Sequence, residues 1–296
     1  MPLIPLDYTL LHLIQLFNHQ ILDYLMIAIT EFGSPLFWFL VASMLYWKGK
    51  EKDSFYLTTL LVFTGIIIIG LKDFFMRARP SSNEFRVLVK SSEYSFPSGH
   101  ATTISSVAAF YERKVKSKLT ILLILAVLIV SYSRLYLGAH FPSDVIVGIA
   151  LGLLIGKACK YLFKRFDKAQ FKLTSLEEEI IVIILIAAAL ILLLLASPIP
   201  EAALFLGYYA GFFVLKETKH TTTQLTTKNM LIKQFIGFMV MAAIGIPALL
   251  IPGIDIPMKF ILLFIIGLWV TLLMPLLYEK ILRIELLQSL QKEGNL

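Results

Sequence analysis

The chain has 296 residues, 58% of them hydrophobic and only 16% charged, with a mean hydropathy of +0.80. That much apolar surface cannot be hidden inside a water-soluble fold, so a soluble or disordered protein is excluded and an all-α, polytopic transmembrane bundle is expected. The net charge of +7 does not point to nucleic acid, because the basic residues fall mainly in loops between apolar runs, where they orient a chain across a bilayer. The single cysteine, Cys159, excludes an intramolecular disulfide and a cysteine-based metal cluster. No basic region followed by an apolar core and a cleavage site opens the sequence, so no removable signal peptide is expected.

Residues 8–31 are apolar but interrupted by His12, Gln15, Asn18, His19, Gln20 and Asp23. This pattern suits an amphipathic segment in the membrane interface, with a first span packed inside the bundle as the alternative. His12 and His19 share a face at heptad spacing and read as a solvated or headgroup-facing stripe. Gly33, Ser34 and Pro35 break the segment, and Pro35 suits the first turn of the next helix. Apolar runs then follow at roughly 35–47, 55–76, 98–112, 119–137 and 143–163. After Glu177-Glu178-Glu179 come further runs at roughly 179–197, 200–215, 232–251 and 257–279. Placing the basic loops near residues 50, 115, 168 and 225 and the C-terminal tail in the cytoplasm sends 77–97 and 138–143 together to the opposite face. The sequence therefore divides into an N-terminal segment (1–33), a core bearing polar clusters (34–172) and a C-terminal extension of about four transmembrane helices (173–296).

Three clusters on that non-cytoplasmic face carry chemistry. In the first, Lys72 stands seven residues before Arg79-Pro80. Proline biases Arg79 away from helical geometry, so Lys72 rises from the last helical turns while Arg79 sits on the loop, and both can meet one anion. The second is Phe96-Pro97-Ser98-Gly99-His100, just before a helix. Ser98 suits the N-cap, Gly99 lets a ligand approach the backbone, and the helix N-terminus favours an anion beside His100. The third runs from Ser133-Arg134 to His140 and Asp144. The four-residue spacing puts His140 and Asp144 on one helix face, so the carboxylate can orient the imidazole and leave its other nitrogen free. Arg134 supplies a planar cation suited to phosphate oxygens. Together the clusters offer three cations, a helix N-terminus and two histidines, an inventory suited to phosphoryl transfer. No carboxylate or histidine cluster on this face has metal-ligand spacing, so no metal or other cofactor is expected. Gly148, Gly152 and Gly156 continue the spacing of His140 and Asp144 as a small-residue ridge for close helix packing.

Lys72-x6-Arg79-Pro80, Pro97-Ser98-Gly99-His100 and Ser133-Arg134-x5-His140-x3-Asp144, in that order, resemble the three-part signature of the type 2 phosphatidic acid phosphatase superfamily. That superfamily includes membrane lipid phosphatases, glucose-6-phosphatase and vanadium haloperoxidases. The resemblance covers roughly residues 30–165. It implies that His140 is a nucleophile forming a phosphohistidine, Asp144 its orienting partner and His100 the general acid. Lys72, Arg79, Ser98, the Gly99 backbone and Arg134 would then bind phosphate. It also implies a lipid phosphate or diphosphate substrate, of the undecaprenyl diphosphate, phosphatidylglycerol phosphate or phosphatidic acid class. The expected location is a bacterial inner or plasma membrane, with the site facing the periplasm or exterior. A phosphotransferase and a lipid transporter using the cationic pocket for headgroups are the alternatives. The extension reads as a scaffold or homodimerisation surface, or as a lipid-binding wall.

Overall fold

The computed structural model describes residues 5–89, 94–112, 117–169, 174–194, 201–217, 227–251 and 253–281. Arg113, Lys114, Lys116, Lys172, Pro198 to Pro200, His220, Thr221 to Thr226, Pro252 and the tail from 282 lie outside the described residues. All the regular secondary structure among the described residues is helical, with no strand among them. They form α1 (Pro5–Gln15), α2 (Gln20–Thr30), α3 (Pro35–Trp47), α4 (Glu51–Phe75), α5 (Gly99–Tyr111), α6 (Lys118–Tyr136), α7 (Pro142–Ala169), α8 (Ser175–Leu194), α9 (Glu201–Glu217) and α10 (Thr227–Leu250). The last, α11, runs Ile256–Ile281 with a π-helical turn at Trp269–Leu273.

Five of the described helices are long and apolar enough to cross a membrane: α4, α6, α7, and the stretches Asn229–Ala248 and Ile256–Ile281. A sixth arises if Gln20–Gly33 and Pro35–Trp47 count as one span bent by 57°. The chain is thus an integral membrane protein. Helix α5 has 13 residues, about 20 Å at 1.5 Å per residue, which falls short of a hydrocarbon core of about 30 Å.

The coordinates separate into two compact units, residues 1–42 with 55–170, and residues 43–54 with 171–296. In the first, α5 lies against α7 along the glycine ridge. A Cβ at Gly148 would stand 2.9 Å from the Ser98 carbonyl, at Gly152 2.7 Å from Ser105 Cβ, and at Gly156 2.8 Å from Ala109 Cβ. Only hydrogen at these positions permits the approach. On its α6 side, α5 buries Ile104 and Ala108 with Val127 and Val130, against which Ile29 and Trp38 also pack. The N-terminal helices close over the loops that carry the polar clusters. Leu11 packs with Phe85 and Phe141, and Met26 with Tyr136 and Leu137.

The polar residues that interrupt α1 and α2 do not all face outward. Gln15 bonds both main-chain groups of Arg86, donating to its carbonyl at 2.8 Å and accepting from its N–H at 3.0 Å. Asp23 pairs with the Arg86 guanidinium and accepts from Tyr136 Oη at 2.7 Å. His12 and His19 stay exposed, with His12 against the Phe85 ring and His19 Nδ1 capping the Ile21 N–H.

The second unit is built on helix pairs that also meet at glycines. Gly207 of α9 faces the Phe264 carbonyl of α11, and Gly267 of α11 faces the Leu204 carbonyl of α9. The π-helical turn leaves carbonyls that aromatic donors take up: Trp47 Nε1 donates to Val270 at 2.9 Å and Tyr46 Oη to Thr271 at 3.1 Å. Such turns displace main-chain groups from the regular ladder, and two side chains of the α3 end answer them.

Candidate active site

Helices α4, α5, α6 and α7 each deliver one piece of the site. Lys72 lies in the last turn of α4 and is buried, a poor place for a lysine unless an anion is handled there. The chain leaves α4 with Met76 at φ +44° and passes through Arg77 and Arg79. Ser98 occupies the N-cap position of α5, but its side chain caps nothing. Its hydroxyl is fully buried and makes no hydrogen bond. Ser98 N–H donates instead to the Asp144 carbonyl at 3.0 Å, which ties the start of α5 to the first turn of α7. Arg134, in the last turn of α6, is 4% exposed. Its Nη1 donates to Thr30 Oγ1 at 2.7 Å, while its Nε has no partner. Gly138 turns the chain toward α7 at φ +67°, and a Cβ there would meet Arg86 and come within 3.0 Å of Gln15 Nε2.

His140 lies in the short loop between α6 and α7 and is 1% exposed. Arg79 Nη1 stands 3.2 Å from His140 Nε2 and donates to the Ala139 carbonyl at 2.8 Å. A guanidinium can only donate, so this contact is a hydrogen bond in the tautomer with Nε2 unprotonated, whose proton on Nδ1 has no hydrogen-bond partner among the described residues. Burial, followed by the charges of Arg134, Arg79 and Lys72, holds the His140 pKa well below 6.5, against a smaller opposing pull from the Ser95 main chain. The imidazole is therefore neutral, with a lone pair on Nε2 amid three cations. The same three cations, together with His140, act on His100 at the N-terminus of α5. All three sequence clusters thus converge on one place.

Because α7 begins only at Pro142, His140 precedes the helix that carries Asp144, so the two do not share a helix face as their spacing suggests, and their contact is looser than a hydrogen bond. Nδ1 lies 3.6 Å from Asp144 Oδ2. That oxygen accepts the Phe141 N–H at 2.8 Å, and the other, Oδ1, pairs with Arg77. The profile of the PAP2 superfamily matches residues 53–168, and that of the PAP2 superfamily phosphatase transmembrane extension matches residues 199–285. Phosphatidylglycerophosphatase B of Bacillus subtilis is 35% identical over 164 residues, which cover 50% of this chain and 76% of that protein. The chain belongs to the PAP2 superfamily.

Other relatives match over shorter shares of their length. Lipid A 4'-phosphatase of Porphyromonas gingivalis is 35% identical over 125 residues, 38% of this chain and 53% of that one. Undecaprenyl-diphosphatase of Sulfolobus acidocaldarius is 33% identical over 137 residues, 44% of this chain and 66% of that one. The match thus spans about half the length of the first of these and about two thirds of the second. Among solved structures, LpxE of Aquifex aeolicus aligns at a TM-score of 0.47 and 27% identity, over 53% of this chain and 95% of that one.

Three residues beside this PAP2 site are not singled out by the motif reading. Arg77 precedes Arg79 by two positions and reads in the sequence as one more interfacial cation, yet it is 2% exposed and bound to Asp144. Asp7 and Thr30 come from the N-terminal helices. Their partners Arg77, Ser143 and Arg134 are far away in the chain, so no local pattern announces them. The one available signal is that Arg77 and Arg79 fall in a segment that the positive-inside reading of the sequence expects to be poor in cations.

Proposed function

We propose that this protein is an integral membrane phosphatase that hydrolyses a lipid phosphate or diphosphate through a phosphohistidine on His140. The observation that carries the reading is the buried His140 Nε2 held 3.2 Å from an Arg79 donor within reach of Arg134 and Lys72 charge. The unmatched, buried Ser98 hydroxyl and Arg134 Nε–H add two donors. Buried polar groups of this kind are costly unless matched, and tetrahedral phosphate oxygens would match them. Gly99 and the first N–H groups of α5 supply the helix N-terminus.

On this reading Nε2 attacks phosphorus in line as the bond from phosphorus to the leaving oxygen breaks. His100, which takes up a proton with the arriving phosphate anion as that anion offsets the surrounding cations, gives the leaving oxygen its proton. Water then attacks the phosphohistidine, His100 takes a proton from it, and inorganic phosphate departs with His140 restored. The cations spread the charge of the transferring group, which is the main demand of phosphoryl transfer. Asp144 orients the imidazole and stabilises it while it carries the phosphoryl group. We read the site as facing the periplasm or exterior and the C-terminus as cytoplasmic, in keeping with the basic loop at Lys48–Lys52 on the opposite end of α4 from Lys72.

Phosphate release by the purified protein in detergent tests this, with EDTA present and His140→Ala alongside. The panel holds undecaprenyl diphosphate, phosphatidylglycerol phosphate, phosphatidic acid and glucose 6-phosphate. Release from a lipid substrate that survives chelation and disappears in the variant is expected. Equal release by the variant, or none from any substrate, contradicts the proposal and favours headgroup transport or phosphotransfer.

A further inference from the structure

Beneath His140 lies a buried cluster that phosphate binding does not use. Arg77 is 2% exposed, Asp7 3% and Asp144 0%. Arg77 Nη1 reaches Asp144 Oδ1 and donates to Ser143 Oγ at 2.6 Å, while its Nη2 donates to Asp7 Oδ2 at 2.6 Å. Asp7 in turn accepts from the Ser143 N–H at 2.9 Å and from its hydroxyl at 2.7 Å. The guanidinium also lies over the Phe141 ring, 4.7 Å from its centroid.

The charges in this cluster decide what Asp144 can do. Without Asp7, Arg77 and Asp144 would form a neutral pair, and the Asp144 carboxylate would be largely spent on the guanidinium. With Asp7, one cation stands between two carboxylates, and with both carboxylates ionised the cluster carries a net charge of −1 beside His140 Nδ1. Burial alone would raise the Asp7 pKa, but hydrogen bonds from Arg77 and Ser143 bring it below 3.8, so Asp7 is ionised at neutral pH. Burying three charges for stability alone is a poor arrangement, since well-packed apolar residues commonly do as well. The geometry gives another reason. Arg77 fixes Oδ1 of Asp144, the Phe141 N–H fixes Oδ2, and Oδ2 is left 3.6 Å from the imidazole Nδ1.

We propose that Asp7 and Arg77 are positioning residues of the phosphatase site, acting through Asp144 on His140. The first helix is then part of the catalytic apparatus and not only an interfacial anchor. This rests on His140 being the nucleophile of a phosphatase.

The test uses the full-length protein with phosphatidic acid in mixed micelles, or the best lipid of the panel. Asp7→Asn keeps the shape of the side chain and leaves Arg77 still paired with Asp144. The expected result is a fall in kcat of roughly 10- to 100-fold, by analogy with losing a carboxylate that orients a metal-bound histidine. KM and inhibition by vanadate should stay within about twofold, because Lys72, Arg79 and Arg134 still hold the anion. Adding Arg77→Gln to Asp7→Asn removes the cation that Asp7 had balanced, and should recover part of the lost kcat. A purely structural role gives no such recovery and lowers the amount of active protein instead. Wild-type kcat in Asp7→Asn overturns the proposal, as does a double variant no better than the single one. If Asp7→Asn does not fold, Ser143→Ala decides: it keeps every charge, and a lower kcat at unchanged KM supports the proposal while wild-type kcat overturns it. A wild-type protein that releases no phosphate, or whose release survives His140→Ala, defeats the phosphatase reading itself and this inference with it.

Discussion

The contact between α5 and α7 sets the distance between the two histidines, and Gly152 tests it. A Cβ at this position would meet the Thr102 carbonyl, and would stand 2.7 Å from Ser105 Cβ and 2.9 Å from Ser106 N. Carbon atoms in contact rest at about 3.5–4.0 Å, so Gly152→Ala forces the helices apart by about 1 Å. The obstacles are backbone and Cβ atoms, which cannot rotate aside. Overpacking of this kind costs about 1–3 kcal/mol, and the upper end applies here. The helix-propensity gain of alanine over glycine returns about 1 kcal/mol, for a net loss of about 2 kcal/mol. Gly152 lies two turns from Asp144, about 12 Å along the axis, so much of the displacement reaches the site. A misplacement of 1 Å costs about 100-fold in rate, and a loss between 10- and 100-fold is expected. The buried Cys159, the one cysteine of the chain, provides the assay, because a thiol-reactive fluorogenic dye reports its exposure on heating in detergent. Gly65→Ala in α4 is the control, since its Cβ would meet nothing within 4 Å. Gly152→Ala should unfold several degrees lower and turn over slowly, while Gly65→Ala should match or exceed the wild type in unfolding temperature. A Gly152→Ala protein with wild-type midpoint and wild-type kcat would refute the argument that this ridge sets the site.

Two further predictions separate ligand contact from packing and fix the charge state of His140. A Cβ at Gly99 would meet only Ile68, at an ordinary 3.8 Å, so Gly99→Ala should leave the unfolding midpoint unchanged and raise KM for the lipid phosphate at least several-fold. A lowered midpoint with unchanged KM would make Gly99 a packing residue. Because the His140 pKa is held below 6.5 in the folded protein, the unfolded chain binds the extra proton first as pH falls. The stability that comes from keeping His140 neutral is full above pH 6.5 and declines below it, toward the lower folded pKa. His140→Gln should therefore flatten the fall of the unfolding midpoint between pH 7 and pH 5. An identical slope in both proteins would contradict the neutral, buried imidazole.

The sequence is informative about this site wherever the chemistry is local. Lys72 to Arg79, Ser98 to His100 and Arg134 to Asp144 are short runs whose spacing states the break ahead of Pro80 and the start of α5 and gathers the site residues, although α7 starts after His140. Gly148, Gly152 and Gly156 likewise mark a ridge by period alone, and the coordinates show what it packs against. Spacing has less to say about hydrogen bonds. It brings Asp144 near His140 but does not reveal that α7 starts after His140 or that both Asp144 oxygens are engaged by Phe141 and Arg77. Long-range partners are not legible. Asp7 meets residues 70 and 136 positions away, and Gln15 and Asp23, which look like interfacial polar residues, hold the Arg86 loop and Tyr136. Tertiary pairing decided their direction, and amphipathic periodicity carries no record of it. The apolar run at 257–279 likewise gives no hint of the π-helical turn at Trp269–Leu273, whose carbonyls accept from Tyr46 and Trp47 far earlier in the chain.

The central claim is that His140 carries the phosphoryl group, and trapping that intermediate tests it most directly. Protein mixed with phosphate-labelled lipid substrate is quenched in alkali within milliseconds and digested, and the label is located by mass spectrometry. A phosphohistidine survives alkali and is lost in acid, unlike a phosphoserine. The account predicts an alkali-stable, acid-labile label on the peptide holding His140, absent from His140→Ala. Label on another residue, or undiminished turnover by His140→Ala, would contradict it.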